Sequence, residues 1–369
     1  MGQELDHSVA PTSAAPVDKV VPVPYRAHDP TIPHPSYGGI PTRLKAIARG
    51  SSATVFFRWD ANGDGLWDVD PTRSAPGQGN WYQENQYNLD FVYYYSPVSN
   101  LKHYIATIEV ASSVSGGVGA DSKFANYYVL LHADMPTPAN AHLATNEQLE
   151  IMQEIALGNE LWILHKQLSR TGSGTATITG NLNSPDSVVS KSVAISSMYL
   201  LSLARAGYRP AYPPGTYNAY SKPINIPNFS EYNDFMWNSS PYSEDAIRIL
   251  NYLLNQLSSV TVSLDDEADD GLSPIAGTND LYGYYLLSSN YEWNNQAFAL
   301  AAIATCGLAG TVAQIGTIAQ GQYFEFIVQQ MVDYACYSQI ESGTSLGGWG
   351  YDASSTSGIA ILQGAGFMG

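Results

Sequence analysis

Between Thr42 and Leu131 the chain alternates. Residues 42–48 (Thr-Arg-Leu-Lys-Ala-Ile-Ala) repeat with period two, and residues 53–59 (Ala-Thr-Val-Phe-Phe-Arg-Trp) are β-branched and aromatic. Residues 88–95, 103–110 and 124–131 follow the same pattern, with turn residues between them. Five or more short strands with no helix between them predict a β-sandwich. Before this region, residues 1–41 carry Pro22, Pro24, Pro30, Pro33, Pro35 and Pro41 and read as an extended arm. After Met135-Pro-Thr-Pro138 the period changes. Leu149, Met152, Ile155, Ala156 and residues 161–164 recur at helical spacing behind a Thr145-x-x-Gln148 capping box. Further helices are expected at about 187–206, 241–258, 293–308 and 319–338, with a last one opening near Ser355. The pattern divides the chain into an arm over 1–41, a β domain over 42–135 and a helical domain over 136–369.

The chain has 369 residues, long enough for two domains, and 44 % are hydrophobic, which excludes global disorder. Its 16 Lys and Arg stand against 33 Asp and Glu, a formal charge of -17. Such a surface repels phosphate backbones and anionic lipid, and it suits divalent cations. Two cysteines, Cys306 and Cys336, make no disulfide framework. Each lies near the end of a different expected helix, and antiparallel neighbours would hold them too far apart to pair. There is no run of 18 apolar residues, so no membrane span is expected. Residues 1–20 hold no apolar signal core, and the apolar stretch 359–369 reads as a helix cut short, so the sequence is expected to be part of something longer.

The most specific chemical signal is Asp60-Ala-Asn-Gly-Asp-Gly-Leu-Trp-Asp68. Asp60, Asn62 and Asp64 set hard oxygens at loop positions 1, 3 and 5. Gly65 allows the sharp turn, Leu66 offers a backbone carbonyl, and Asp68 stands at position 9. Pro71 occupies the place of a bidentate Glu, and Asp70 is its nearest substitute. The spacing predicts a Ca²⁺ loop joining strands; the alternative is a polar loop with no ion.

Residues 57–65 (Phe-Arg-Trp-Asp-Ala-Asn-Gly-Asp-Gly), with Tyr104-Ile-Ala-Thr-Ile-Glu-Val110 later, resemble a PKD-type domain. The resemblance implies an Ig-like sandwich used as a spacer or adhesive module. In the helical region Gln339-Ile-Glu-Ser-Gly-Thr-Ser-Leu-Gly-Gly-Trp-Gly-Tyr351 resembles the repeat of the squalene cyclase and prenyltransferase superfamily. Residues 159–165 and 294–304 look like other helices of that family. This implies an incomplete α/α toroid over about 140–369, with Trp349 as a packing anchor or a substrate cage. The expected fold is thus an all-β Ig-like sandwich followed by an all-α toroid.

Three sets of residues carry catalytic patterns. Asp265-Asp266-x-x-Asp269 matches a diphosphate-binding pattern of terpene synthases, but here it stands with Asp270 in a segment bounded by Gly and Pro. An acidic loop, or a second cation site on Asp265, Asp266, Asp269 and Asp270, is the simpler reading. Cys306, Cys336, His142 and His165 show no zinc-ligand spacing. His165, Tyr208 and Arg209 could serve a polysaccharide lyase, yet His165 follows Trp162 on an apolar helix and reads as a core histidine. The expected function is that of a secreted or cell-surface structural or adhesive protein. Calcium stiffens it, it assembles with copies of itself or other surface components, and it has no catalytic residues; the alternative is a toroid enzyme acting on an isoprenoid or a polysaccharide.

Overall fold

The computed structural model describes residues 17–23, 33–50, 52–133, 135–136, 140–171, 178–184, 189–210, 241–261, 282–286 and 292–338. They form two compact units, Met1–Lys166 with Pro223–Pro241, and Gln167–Lys222 with Tyr242–Gly369.

The first unit is built on a five-stranded sheet in the order β2 (His34–Tyr37), β11 (Lys123–His132), β8 (Lys102–Ala111), β5 (Thr54–Asp60), β6 (Tyr82–Asn85). The sheet is mixed. β2 runs parallel to β11, with Val129 opposite His34, whereas β11–β8, β8–β5 and β5–β6 are antiparallel. Two further antiparallel pairs join β1 (Lys19–Pro22) to β4 (Ala46–Arg49) and β3 (Pro41–Leu44) to β7 (Phe91–Tyr94). A hairpin of β9 (Ser113–Ser115) and β10 (Val118–Ala120) projects from the end of β8. The inward residues of these strands make one core around Phe57, Trp59, Leu89, Phe91, Ile108, Val110, Val129 and Leu131. Trp59 meets Tyr127 edge to face at 5.9 Å, a favoured aromatic geometry.

Helix α1 (Asn146–Gln167) opens on the expected capping box. The Gln148 N–H donates to Thr145 Oγ1 at 3.2 Å, and Gln148 Oε1 accepts from the Thr145 N–H at 2.9 Å. The helix is tied to the strands through its buried face. Lys45 Nζ donates to the Gly158 carbonyl at 2.7 Å, and Lys166 pairs with Asp90 at 3.2 Å. His165 is a core histidine, fully buried, stacked on Trp162 and 3.0 Å from the Tyr87 carbonyl.

Lys45 is 3 % exposed. Burial, and then the charge of Arg43, lower its pKa to about 7 against the opposing pull of Asp90. His34, equally buried, is lowered to about 3 by burial and then by Lys45. The folded chain therefore carries both groups neutral where the unfolded chain protonates them. His34 costs stability as pH falls from about 6.5 towards 3, and Lys45 adds stability as pH rises from about 7 towards 10.5. Scanning calorimetry should show the first unit melting higher at pH 9 than at pH 7, with that gain lost in Lys45→Met. A melting temperature that is flat over this range contradicts the assignment.

The second unit alternates helices with hairpins: β12 (Leu168–Thr171) with β13 (Thr179–Leu182), α2 (Val189–Arg205), α3 (Pro241–Gln256), β14 (Leu257–Thr261) with β15 (Tyr282–Leu286), α4 (Glu292–Thr305) and α5 (Phe324–Tyr337). The chain order helix–strand–strand–helix occurs twice, from α1 to α2 and from α3 to α4. Each time a helix passes straight into a strand at Gln-Leu-Ser, Gln167–Ser169 and Gln256–Ser258. Each hairpin presses a glycine on a helix. A Cβ on Gly180 would stand 3.2 Å from Arg248 Cβ, and one on Gly283 only 2.9 Å from Tyr334 Cβ.

Helix α3 is buried nearly all round, so its polar face lies inside. Arg248 pairs with Glu244 at 2.8 Å and donates to the carbonyls of Thr171 and Thr179. Asn251 donates to the Ile178 carbonyl at 2.8 Å. Asp245 receives Arg170 at 2.9 Å and the Tyr199 hydroxyl at 3.0 Å. Cys306 is a free, buried thiol that donates to the Ala302 carbonyl, and burial pushes its pKa up to about 12. The side chain of Cys336 lies outside the described residues.

The expected Ig-like sandwich followed by an all-α toroid is therefore corrected to a mixed α/β fold. The arm contributes strands β1 and β2, the latter in parallel pairing, and the first helix packs within the β-rich unit. The block read as all-helical holds two hairpins. A helix that turns into a strand with no Gly or Pro between them leaves no punctuation for a reader of periodicity.

Candidate metal centre

The loop after β5 is folded around the side chain of Asp60. This residue ends the strand and is buried. Asp60 Oδ1 accepts the N–H groups of Gly63 at 2.8 Å and Asp64 at 3.2 Å, and Oδ2 accepts that of Gly65 at 2.9 Å. Asn62 Oδ1 accepts the Asp64 N–H, and Asp64 Oδ1 accepts the Leu66 N–H. A short polar side chain that bonds the backbone two or more residues on is what makes the chain curl. Gly63 lies at φ 72°, and a Cβ there would stand 2.7 Å from the Ile105 carbonyl oxygen. A side chain is excluded on both counts.

Asp68 closes the loop. Its Oδ2 accepts the Ala61 N–H at 2.8 Å, and its own N–H donates to the Trp59 carbonyl. Burial raises the Asp68 pKa most. The Ala61 hydrogen bond opposes this, and the negative charges of Asp60 and Asp64 raise it further. Tyr93 stands beside the same charges. Asn62 Nδ2 reaches its hydroxyl at 3.3 Å, and burial followed by Asp68 raises its pKa. Among the described residues, no Lys, Arg or His forms an ion pair with Asp60, Asp64 or Asp68.

Five of the six residues expected to ligate Ca²⁺ thus lie in one loop: Asp60, Asn62, Asp64, Leu66 and Asp68. Leu66 stays in it with its side chain 70 % exposed. Asp70 does not join them. It is 1 % exposed and turns both oxygens to residues outside the loop. Oδ1 accepts from the N–H and hydroxyl of Thr72, and Oδ2 accepts from the Val92 N–H. Among the described residues, no three His, Cys, Asp or Glu side chains are gathered as a ready metal cage. The donor chemistry nevertheless fits a hard cation. Two carboxylates, an amide oxygen and a third, partly buried carboxylate share the loop with no ion-paired cation among the described residues.

Several residues fix this loop from a distance, and spacing did not single them out. The Tyr95 hydroxyl donates to the Ala61 carbonyl at 2.6 Å, within a cluster of Tyr93, Tyr95 and Tyr104. Asn80 Nδ2 donates to the Trp67 carbonyl at 2.6 Å. The Arg58 guanidinium is sandwiched between Trp67 at 4.2 Å and Trp81 at 4.3 Å and is bound by Glu109. Long-range contacts such as these leave no local signature. The motifs at Asp265–Asp270 and Gln339–Tyr351 lie outside the described residues. No helix among the described residues is long and apolar enough to cross a membrane.

No protein-family model matches the chain, and no curated protein matches it.

Proposed function

We propose that the chain is a structural or adhesive module of an extracellular surface, in which Ca²⁺ stiffens the first unit. The observation that carries this is the loop 60–68, where Asp60, Asp64 and Asp68 share one turn with no basic ion-pair partner among the described residues. With Asn62, and with the Leu66 carbonyl that the spacing offers as a further donor, these residues would hold the ion. Bound Ca²⁺ supplies a positive charge that offsets three mutually repelling carboxylates. The loop's anchors, Tyr95 on Ala61, Asn80 on Trp67 and Arg58 between two indoles, transmit that stiffness to strands β5, β6, β7 and β8. A net charge of -17 suits a calcium-rich exterior, where divalent ions screen repulsion between copies.

The full chain should melt higher in calcium than in EDTA. A ligand at a hundred times its Kd adds about 2.7 kcal/mol, or roughly 5–10 °C for a unit of this size. Sedimentation velocity should show self-association in calcium that EDTA reverses. Identical melting and sedimentation in the two buffers would remove the basis of the proposal.

A further inference from the structure

We propose that strand β1 is exchangeable between copies of the chain: the slot that it fills beside β4 accepts the same strand from a second copy. The inference rests on the self-assembly part of the proposed function and not on calcium.

β1 is a core element carried on the arm. Val17, Val20, Val21 and Val23 are each at most 5 % exposed, and Val17 and Val20 belong to the core of the first unit. The backbone match is equally full. Lys19–Pro22 pair with Ala46–Arg49, and the N–H groups of Asp18 and Val23 extend the ladder to the carbonyls of Arg49 at 2.7 Å and Lys45 at 2.9 Å. Pro22 lacks an N–H, but next to Val23 its nitrogen faces away from β4, where proline is tolerated. The opposite edge of β4 is already taken. The Ala48 N–H donates to the Gln86 carbonyl, and the Ala46 carbonyl accepts the Leu89 N–H. With β1 withdrawn, β4 has one bare edge beside an uncovered apolar core. Such an edge is a template for an added strand, and buried alternate side chains select an apolar one.

Three features let a second copy supply that strand. β1 precedes every other described element, so it leaves without unthreading any of them. Between Val23 and His34 the sequence carries Pro24, Pro30 and Pro33, and proline-rich chain is a stiff spacer that favours reaching outward over turning back. The incoming strand has the same sequence and makes the same contacts, which is the basis of exchange between protomers.

Chains with one cysteine each test it, in a background of Cys306→Ala and Cys336→Ser. Ala48 turns its N–H away from β1, so Val20 and Ala48 form a non-hydrogen-bonded pair with Cα atoms about 4.5 Å apart, within disulfide reach. One chain carries Val20→Cys and the other Ala48→Cys, so neither can close the bond within itself. The two are refolded together in EDTA and oxidised with glutathione disulfide. A disulfide-linked heterodimer is expected, and it should be lost when Val118→Cys, on the exposed β9–β10 hairpin, replaces Ala48→Cys. In sedimentation velocity in EDTA, the unmodified chain refolded at high concentration should hold a dimer, and replacing Pro24, Pro30 and Pro33 by Gly should reduce it. Absence of the heterodimer, equal linkage to Val118→Cys, or a chain that sediments only as monomer overturns the proposal. Association that appears only in calcium, without the heterodimer, overturns it while leaving the calcium reading in place.

Discussion

Asp245→Ala is expected to destabilise the second unit by about 3–5 kcal/mol, the usual cost of removing one partner from a buried ion pair. Asp245 is 1 % exposed, and the Arg170 side chain that it receives is 11 % exposed. Without the carboxylate, Arg170 keeps a charge that little water can reach. The Tyr199 hydroxyl loses its acceptor as well. Burial and the Asp245 charge hold the Tyr199 pKa well above its ordinary value, so the phenol stays a donor across the working pH range. Arg170 belongs to β12 and Tyr199 to α2, so one side chain on α3 joins three elements. Asp245→Asn keeps the volume and an acceptor and should cost less than half as much. Hydrogen-exchange mass spectrometry on the segment Pro241–Gln256 reads both variants. A loss below about 1 kcal/mol in Asp245→Ala would show that the network is not structural.

Asp90→Ala is expected to cost the first unit about 2–3 kcal/mol, the lower part of the range for a broken buried pair. One carboxylate serves three cations: Arg43 and Lys166 on Oδ2, and Arg73 at 2.7 Å on Oδ1. Its side chain is 4 % exposed, whereas those of the three cations are 21–30 % exposed and recover part of their hydration. The surrounding positive charges outweigh burial and hold the Asp90 pKa below the usual carboxylate range. Its stabilisation is therefore present at neutral pH and lost on acidification. The midpoint difference between wild type and Asp90→Ala should shrink as pH falls towards 3. A difference that is constant with pH would contradict the role of its charge.

What the sequence made legible follows from how local each determinant is. The alternation through 42–131 foretold β3, β4, β5, β7, β8 and β11, because each strand sets one face on a single core. Thr145 and Gln148 announced the start of α1 through two hydrogen bonds only three residues apart. The loop 60–68 was legible for the same reason, since Asp60 bonds residues three to five places on. Asp70 was misplaced because its partner Val92 is 22 positions away and belongs to another strand. Parallel pairing of β2 was hidden by the prolines of the arm. Pro35 lacks an N–H and is tolerated because β2 is an edge strand. The hairpins β12–β13 and β14–β15 were missed because a helix runs up to Gln167 and another to Gln256, and each gives way to a strand there without a turn residue. The recurrence of Gln-Leu-Ser at both junctions was the available signal. The helix expected at about 241–258 was found, but nothing local marks that its polar side chains form the inner seam of the unit.

Titration calorimetry of the full chain with CaCl₂, repeated on Asp64→Ala and on Asp265→Asn, tests the central claim most directly. Asp64 contributes only to the loop, where its Oδ1 accepts the Leu66 N–H and its Oδ2 receives Asn62 at 3.0 Å. The account predicts one calcium site in the wild type that is abolished in Asp64→Ala and retained in Asp265→Asn. Absence of binding heat in the wild type, or a site that survives Asp64→Ala and vanishes with Asp265→Asn, would contradict it.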